Sequence, residues 1–381
     1  MFVWRMTMEE TFESANMATY PSVYAVEDEY LVCVLVKTEC TMWVEVAGRN
    51  YYDHSNGILR SAKFVHMARV PVGALDAAGK YTVHLRKLNE RKPYYTDYGD
   101  EEVAEFDFRA PVVKDSYNFV NVADAHSLWE EPVRSGSFFG DDLDFLLVNG
   151  DIPNHSGDIE YFKTIYMISG GITKGRVPCV FSRGNHDLRG IYAEQLADYT
   201  PVTRAGTSYF TFHFGPIWGI VIDCGEDKRD EQEEYGMTIC CEAFRAEEEE
   251  YIDKAIAARE YESYPIRLIV SHVPFEYRLP PPFDIEQDRY ARWCEKCKAF
   301  KPTLMATGHL HACWTETAGG PHDTYGQPCP VVCSSHVKTG ENEHWHVAGA
   351  LTLEGDTLTV RYPDSNGAEY KQADVIQLDT P

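Results

Sequence analysis

The chain has 381 residues, 44% of them hydrophobic and 13% aromatic, with 35 basic against 60 acidic side chains for a net charge of −25. That apolar content builds a sizeable core and excludes a disordered chain, and the length suits two domains or one large domain with an appendage. An acid excess without any Lys/Arg cluster argues against long nucleic acids and anionic membrane surfaces, and no apolar run is long enough to span a bilayer.

Residues 1–17 read as an N-terminal leader segment with neither a long apolar stretch nor a small-residue cleavage site. The eleven cysteines are odd in number and scattered, which reads as reduced thiols and a cytoplasmic location. Cys294 and Cys297 form a lone CxxC. Without a matching second pair the spacing favours a structural role over a further metal site.

Residues 18–111 read as a small all-β sandwich. Tyr30–Lys37, Met42–Ala47, Phe64–Val70, Tyr81–Leu88 and Val103–Phe108 are short runs rich in Val, Tyr and Leu, separated by turn residues such as Ser55-Asn56-Gly57. Leu75 lies six residues before Tyr81, a spacing that resembles the corner of fibronectin type III domains, where the tyrosine hydroxyl bonds back to the backbone. The usual proline of that corner is Ala77 here. Ala110-Pro111 marks the boundary.

From residue 112 to 381 strand-like runs alternate with helical stretches, which predicts an α/β domain with its site at the strand ends. Five successive runs end in residues that bind metal or carry protons. Tyr117–Ala123 is followed by Asp124-Ala125-His126, and Asp144–Val148 by Asn149-Gly150-Asp151. Val177–Phe181 leads to Gly184-Asn185-His186-Asp187, with a helix predicted over Leu188–Tyr199. Ile266–Ser271 ends in His272, and Thr303–Thr307 in Gly308-His309-Leu310-His311. In an extended end Asp124 and His126, two residues apart, would point to the same side. Buried carboxylates and imidazoles at every strand end call for partners or a metal. Between Ile222 and Ile266 lies an acidic insertion. A helix is predicted there over Ala243–Glu260, with Phe244, Tyr251, Ile252 and Ile256 facing inward and Glu247–Glu250 facing water.

The order DxH…GD…GNHD…H…GHxH over residues 124–311 resembles the calcineurin-like metallophosphoesterase superfamily, and the sandwich before it resembles that of purple-acid-phosphatase-like enzymes. The resemblance implies two facing β-sheets flanked by helices around a centre of two divalent metal ions. One ion would be held by Asp124, His126 and His311, the other by Asn185, His272 and His309, with Asp151 bridging. A hydroxide between the ions would attack phosphorus in line while His186, oriented by Asp187, stabilises charge or protonates the leaving oxygen. Asn154 stands where purple acid phosphatases carry an iron-binding tyrosine, and His126 is a ligand those enzymes lack. N/O ligation without tyrosinate suits manganese, iron or zinc. Arg183 and Arg189 flank the central motif and are candidates to clamp phosphate, with Asn154 beside them. For each arginine the alternative is an ion pair to one of the many acidic residues. The expected function is a phosphomonoesterase acting on a small phosphorylated substrate. The alternatives are a phosphodiesterase on small diesters or cyclic nucleotides, and a non-catalytic scaffold that keeps the fold.

Overall fold

The computed structural model describes residues 12–340 and 343–378, so most of the expected leader segment lies outside the described residues. The first third folds into β1 (Ser22–Val26), β2 (Glu29–Leu35), β3 (Cys40–Val46), β4 (Arg49–Tyr52), the short pair β5 (His54–Ser55) and β6 (Ile58–Leu59), β7 (Val65–Pro71), helix α1 (Val72–Ala78), β8 (Lys80–Glu90) and β9 (Asp97–Asp107). Two layers result, β1-β2-β7 and β4-β3-β8-β9. In β3 and β8 the residues alternate, with Met42, Val44, Tyr81, Val83 and Leu85 buried between the layers. In β1 and β2 nearly every side chain is buried, because these strands are covered on both faces.

The cover comes from the rest of the chain. β10 (Ser116–Val122), β11 (Phe145–Asn149) and β12 (Pro178–Ser182) run parallel, and β1 joins the same sheet by pairing parallel to β12 through Val23 and Tyr24. Strands from before and after Pro111 therefore lie in one hydrogen-bonded sheet. The other edge continues through β19 (Glu343–Glu354), β20 (Thr357–Arg361) and β21 (Asp374–Gln377). A second sheet is ordered β13 (Phe210–Phe214), β14 (Ile217–Ile222), β15 (Ile266–Ser271), β16 (Leu304–Thr307), β18 (Val331–Gly340), with β17 (Cys313–Glu316) beside β18. The long β18–β19 hairpin links the two sheets. Helices α2 (Glu130–Gly136) and α3 (Lys163–Thr173) pack on the first sheet. Phe119 stacks on Phe145, which meets Phe214 of the other sheet with ring centres 5.3 Å apart. Helices α5 (Cys241–Ala258) and α6 (Gln287–Cys297) enclose a further apolar cluster holding Ile220, Ile252, Trp293, Cys294, Cys297 and Phe300. Both cysteines of the CxxC are fully buried there. The expected two-sheet α/β architecture with an all-β N-terminal part is thus the observed one. Among the described residues no helix is long and apolar enough to cross a membrane.

Three local expectations are corrected. The helix expected over 188–199 is two 3₁₀ turns, His186–Leu188 and Ile191–Gln195, followed by only one α turn, α4 (Leu196–Tyr199). Gly190 breaks it at φ +133°, and a Cβ there would meet the backbone of Ser156 and Gly157. On α5, Glu248 does not face water: it is fully buried and accepts the Asp223 amide at 2.7 Å. The Tyr81 hydroxyl does bond a backbone carbonyl, but that of Gly175 at 3.0 Å, across the joint to the loop before β12 rather than within its own corner. Leu75 sits in α1, which Gly79 ends at φ 64°. Tyr81→Phe is accordingly expected to lower stability by about 1–2 kcal/mol, the net bond plus part of the cost of leaving a buried carbonyl unpaired. Urea unfolding would measure it.

A candidate metal centre where the two sheets meet

The carboxyl ends of β10, β11, β15 and β16 converge because buried asparagines tie the sheets together there. Asn121 Nδ2 donates to the Thr307 carbonyl at 3.0 Å, and Asn149 Nδ2 to that of Ala306 at 3.0 Å. The loops leaving these ends turn abruptly. Asp124, His126, Asp151, His309 and His311 all adopt positive φ, between 44° and 65°. Such conformations are costly for residues with a Cβ and persist where the surroundings enforce them, most often at functional sites. Asp124 and His126 therefore converge through a left-handed turn, not through strand alternation.

Two groups of side chains come together in this way. Asp124, His126 and His311 offer donor atoms within 4.8 Å of one another, and so do Asp151, His272 and His309. His126 Nε2 and His311 Nε2 face each other at 3.0 Å, and His311 Nε2 lies 3.3 Å from Asp124 Oδ1. His272 Nε2 lies 3.2 Å from Asp151 Oδ2 and 3.8 Å from Asp124 Oδ1, which connects the two groups. The Asn185 amide meets His309 Nδ1 at 2.9 Å. With its oxygen forward and the His309 proton on Nε2, toward Asp227, two lone pairs face one another, an arrangement that a cation between them relieves. With its nitrogen forward, it donates to His309 Nδ1 and to Asp151 Oδ2.

The set fits divalent metal ions. Asp124 Oδ1 and His272 Nε2 are buried and without a hydrogen-bond partner, and both point into the space between the groups. The outer atoms are already held. Asp124 Oδ2 accepts from the His309 amide at 2.9 Å and from the Ser335 hydroxyl. Asp151 Oδ1 accepts the His186 amide at 2.8 Å. His272 Nδ1 faces the Asn149 carbonyl at 2.7 Å, so its proton sits there and Nε2 is presented inward. Burial opposes ionisation of both carboxylates, yet the charge of His272 holds Asp124 and Asp151 well below the usual carboxylate range. In return, and against its own burial, the two carboxylates raise His272 to about 10, while burial and His272 lower His309 to about 4. The centre attracts positive charge and keeps N/O donors aimed at it.

The remaining expected residues divide. His186 borders the centre, with Nε2 4.0 Å from Asp151 Oδ2. Asp187 does not orient it. The Asp187 carboxylate turns inward and accepts the Gly184 and Asp151 amides at 2.8 and 3.0 Å, while His186 Nδ1 faces the Asn154 carbonyl at 2.8 Å. Burial, with Asp151 beside it, raises Asp187 to about 7. Asp187 thus shapes the loop, and Asn154 serves through its backbone. Arg183 is engaged by Asp223 at 2.7 Å and lies over the Phe244 ring. Arg189 is paired with Glu226 as well, but its Nη1 reaches His186 Nε2 at 3.1 Å. Sequence reasoning missed Ser335 and the carbonyls of Asn149 and Asn154. The last two are backbone contacts that carry no residue signal, and Ser335 arrives from a strand more than two hundred residues from its partner.

Comparison with known proteins agrees with this geometry. No curated protein sequence matches the chain. Solved structures that share its fold include purple acid phosphatase PPD1 from yellow lupin (Lupinus luteus) seeds, with a TM-score of 0.61 and 14% identity over 96% of this chain and 75% of that one, and PhoD, with a TM-score of 0.56 and 11% identity over 98% of this chain and 92% of that one. The model of the calcineurin-like phosphoesterase family matches residues 117–313, more than half of the sequence and all five strand ends. The chain belongs to the calcineurin-like phosphoesterase family and is a phosphoric ester hydrolase.

Proposed function

We propose that the chain is a phosphomonoesterase that uses two divalent metal ions, manganese, iron or zinc, and acts on a small phosphorylated substrate in the cytoplasm. The observation that carries this reading is the pair of donor groups, joined where His272 meets Asp124, at the ends of four strands, with Asn185 of a fifth beside them. Asp124, His126 and His311 would hold one ion, Asn185, His272 and His309 the other, and Asp151 both. Bound there, the ions would neutralise phosphoryl oxygens and supply an activated water. A fibronectin-III-like role for the N-terminal sandwich belongs to the same reading, supported by its three-plus-four strand order.

The chain's own residues do the rest. His186 keeps a proton on Nδ1, against the Asn154 carbonyl, and turns Nε2 to Arg189. In the neutral ring Nε2 accepts from Arg189 Nη1, so the guanidinium supplies the free donors at the rim of the centre; a second proton, on Nε2, would make His186 a donor to a phosphoryl or leaving-group oxygen as well. Among the described residues Arg189 is better placed for this than Arg183, whose partner Asp223 is fully buried.

The test is hydrolysis of p-nitrophenyl phosphate and bis-p-nitrophenyl phosphate by metal-stripped protein refilled with Mn²⁺, Fe²⁺ or Zn²⁺. Metal-dependent turnover with the monoester preferred is the expected result. Preference for the diester would favour the phosphodiesterase reading, and absence of both metal uptake and turnover would favour a scaffold. His186→Asn is expected to lower kcat by about 10²–10⁴, the range of a lost acid–base or charge-stabilising group. If His186 protonates the leaving oxygen, the loss will be larger for phenyl phosphate than for p-nitrophenyl phosphate, because the poorer leaving group needs the proton more.

A further inference from the structure

The acidic stretch after β14 is built into the site. Glu226 is fully buried and receives Arg189 in a two-pronged pair, Nε to Oε1 and Nη2 to Oε2, both at 2.9 Å. The Tyr235 hydroxyl bonds Glu226 at 2.9 Å and Asp227 at 3.1 Å. Behind them Arg245, itself fully buried, donates to the carbonyls of Cys224 at 2.8 Å and Glu226 at 2.7 Å and fixes the backbone. The fork leaves Arg189 Nη1 directed away from Glu226, onto His186 Nε2 at 3.1 Å. On the neighbouring residue, Asp227 Oδ2 lies 3.9 Å from Nε2 of His309, whose other nitrogen faces Asn185. The contact is electrostatic rather than a hydrogen bond at that length.

We propose that Glu226 and Asp227 are positioning residues of the metal centre. Glu226 fixes Arg189 against His186, and Asp227 holds the ring of His309 in its ligating orientation. A buried ion pair alone is a poor source of stability, because desolvation offsets its attraction. Its value here is direction: a guanidinium gripped on one edge presents the other at a set place, and an imidazole backed by a carboxylate keeps its donor nitrogen toward a metal. The inference rests on the two-metal reading above.

The experiment uses the full chain, with kcat, KM, bound metal and Tm measured for Glu226→Gln, Arg189→Ala, their double variant and Asp227→Asn. Glu226→Gln is expected to lower kcat/KM on p-nitrophenyl phosphate about 10- to 100-fold while keeping both ions, the usual effect of losing an outer partner. In the Arg189→Ala background it should change little, since Glu226 acts through Arg189. Asp227→Asn is expected to weaken retention of one of the two ions about 10- to 100-fold in competition with a chelator, a readout that needs no turnover. Should Glu226→Gln fail to fold, Tyr235→Phe removes only the hydroxyl that steadies both carboxylates and should lower kcat/KM several-fold. Losses that multiply in the double variant, or Asp227→Asn holding both ions like wild type, would overturn the proposal. Wild type that binds two ions but hydrolyses neither ester would instead remove the phosphomonoesterase reading, with the chelator competition still deciding the role of Asp227.

Discussion

Replacing Asp151 with asparagine is expected to leave the fold intact, to release at least one of the two metal ions, and to lower turnover at least about 100-fold, beyond what loss of an outer partner costs. The side chain is buried, with Oδ1 under the His186 amide and Oδ2 3.2 Å from His272 Nε2. An asparagine fills the same volume and its oxygen keeps the bond from the His186 amide. The change falls on the other atom, where an NH₂ replaces a charged oxygen facing His272, the residue that joins the two donor groups. With one carboxylate gone the centre loses half of the negative charge contributed by Asp124 and Asp151. Without metal the variant should melt somewhat lower than wild type, because the attraction between Asp151 and the charge of His272 outweighs the repulsion from Asp124 that the substitution relieves. With metal, wild type should gain stability by mass action, about 2.7 kcal/mol at a hundredfold excess over Kd, and the variant should lose most of that gain. Metal content, turnover and Tm with and without Mn²⁺ or Zn²⁺ check all three. A variant that retains two ions and wild-type turnover would remove Asp151 from the bridging role.

The five strand ends were legible because each apolar run is followed at once by a ligand-type residue, and glycines flank three of them. Gly184 shows why: a Cβ there would lie 2.2 Å from Asp151 Oδ1. What stayed hidden is conformational or remote. Positive φ at Asp124, His126, Asp151, His309 and His311 is imposed by the tied sheets and has no side-chain signature. β1 was invisible as a strand because five uniformly buried residues show no alternation, and its partner β12 lies more than a hundred and fifty residues away. In the acidic insertion composition cannot separate Glu226, which is buried and paired, from the exposed Glu233 and Glu234 that follow it. Asp187 misled for a related reason. Adjacency to His186 suggested a pair, but the 3₁₀ turn that starts at His186 sends the carboxylate to the amides behind the loop.

Glu276 gives the second large effect, on stability rather than turnover. It follows β15 and is fully buried, with both carboxylate oxygens lacking a hydrogen-bond partner. Burial raises it to about 8; Asp323 and Glu316 add to the rise, and its own amide offsets it only in part. The buried thiols of Cys294 and Cys329 are also close enough to interact with it, and burial raises both of them too. Below the ordinary carboxylate value of 4.5 the folded and unfolded chains both carry the proton, and the contribution to stability is complete. Between 4.5 and about 8 the unfolded chain has lost the proton while the folded chain keeps it, so stability falls as pH rises, by about 1.4 kcal/mol per unit. Above about 8 the group is ionised in both states and the loss is complete. Glu276→Gln keeps the shape and removes the titration, and any cost of its unpaired amide is the same at every pH. The difference in unfolding free energy between variant and wild type should therefore shift by several kcal/mol in favour of the variant from pH 5 to pH 8. Denaturant unfolding at each pH reads that difference directly. Parallel profiles would mean that Glu276 finds a partner for its charge in the folded chain.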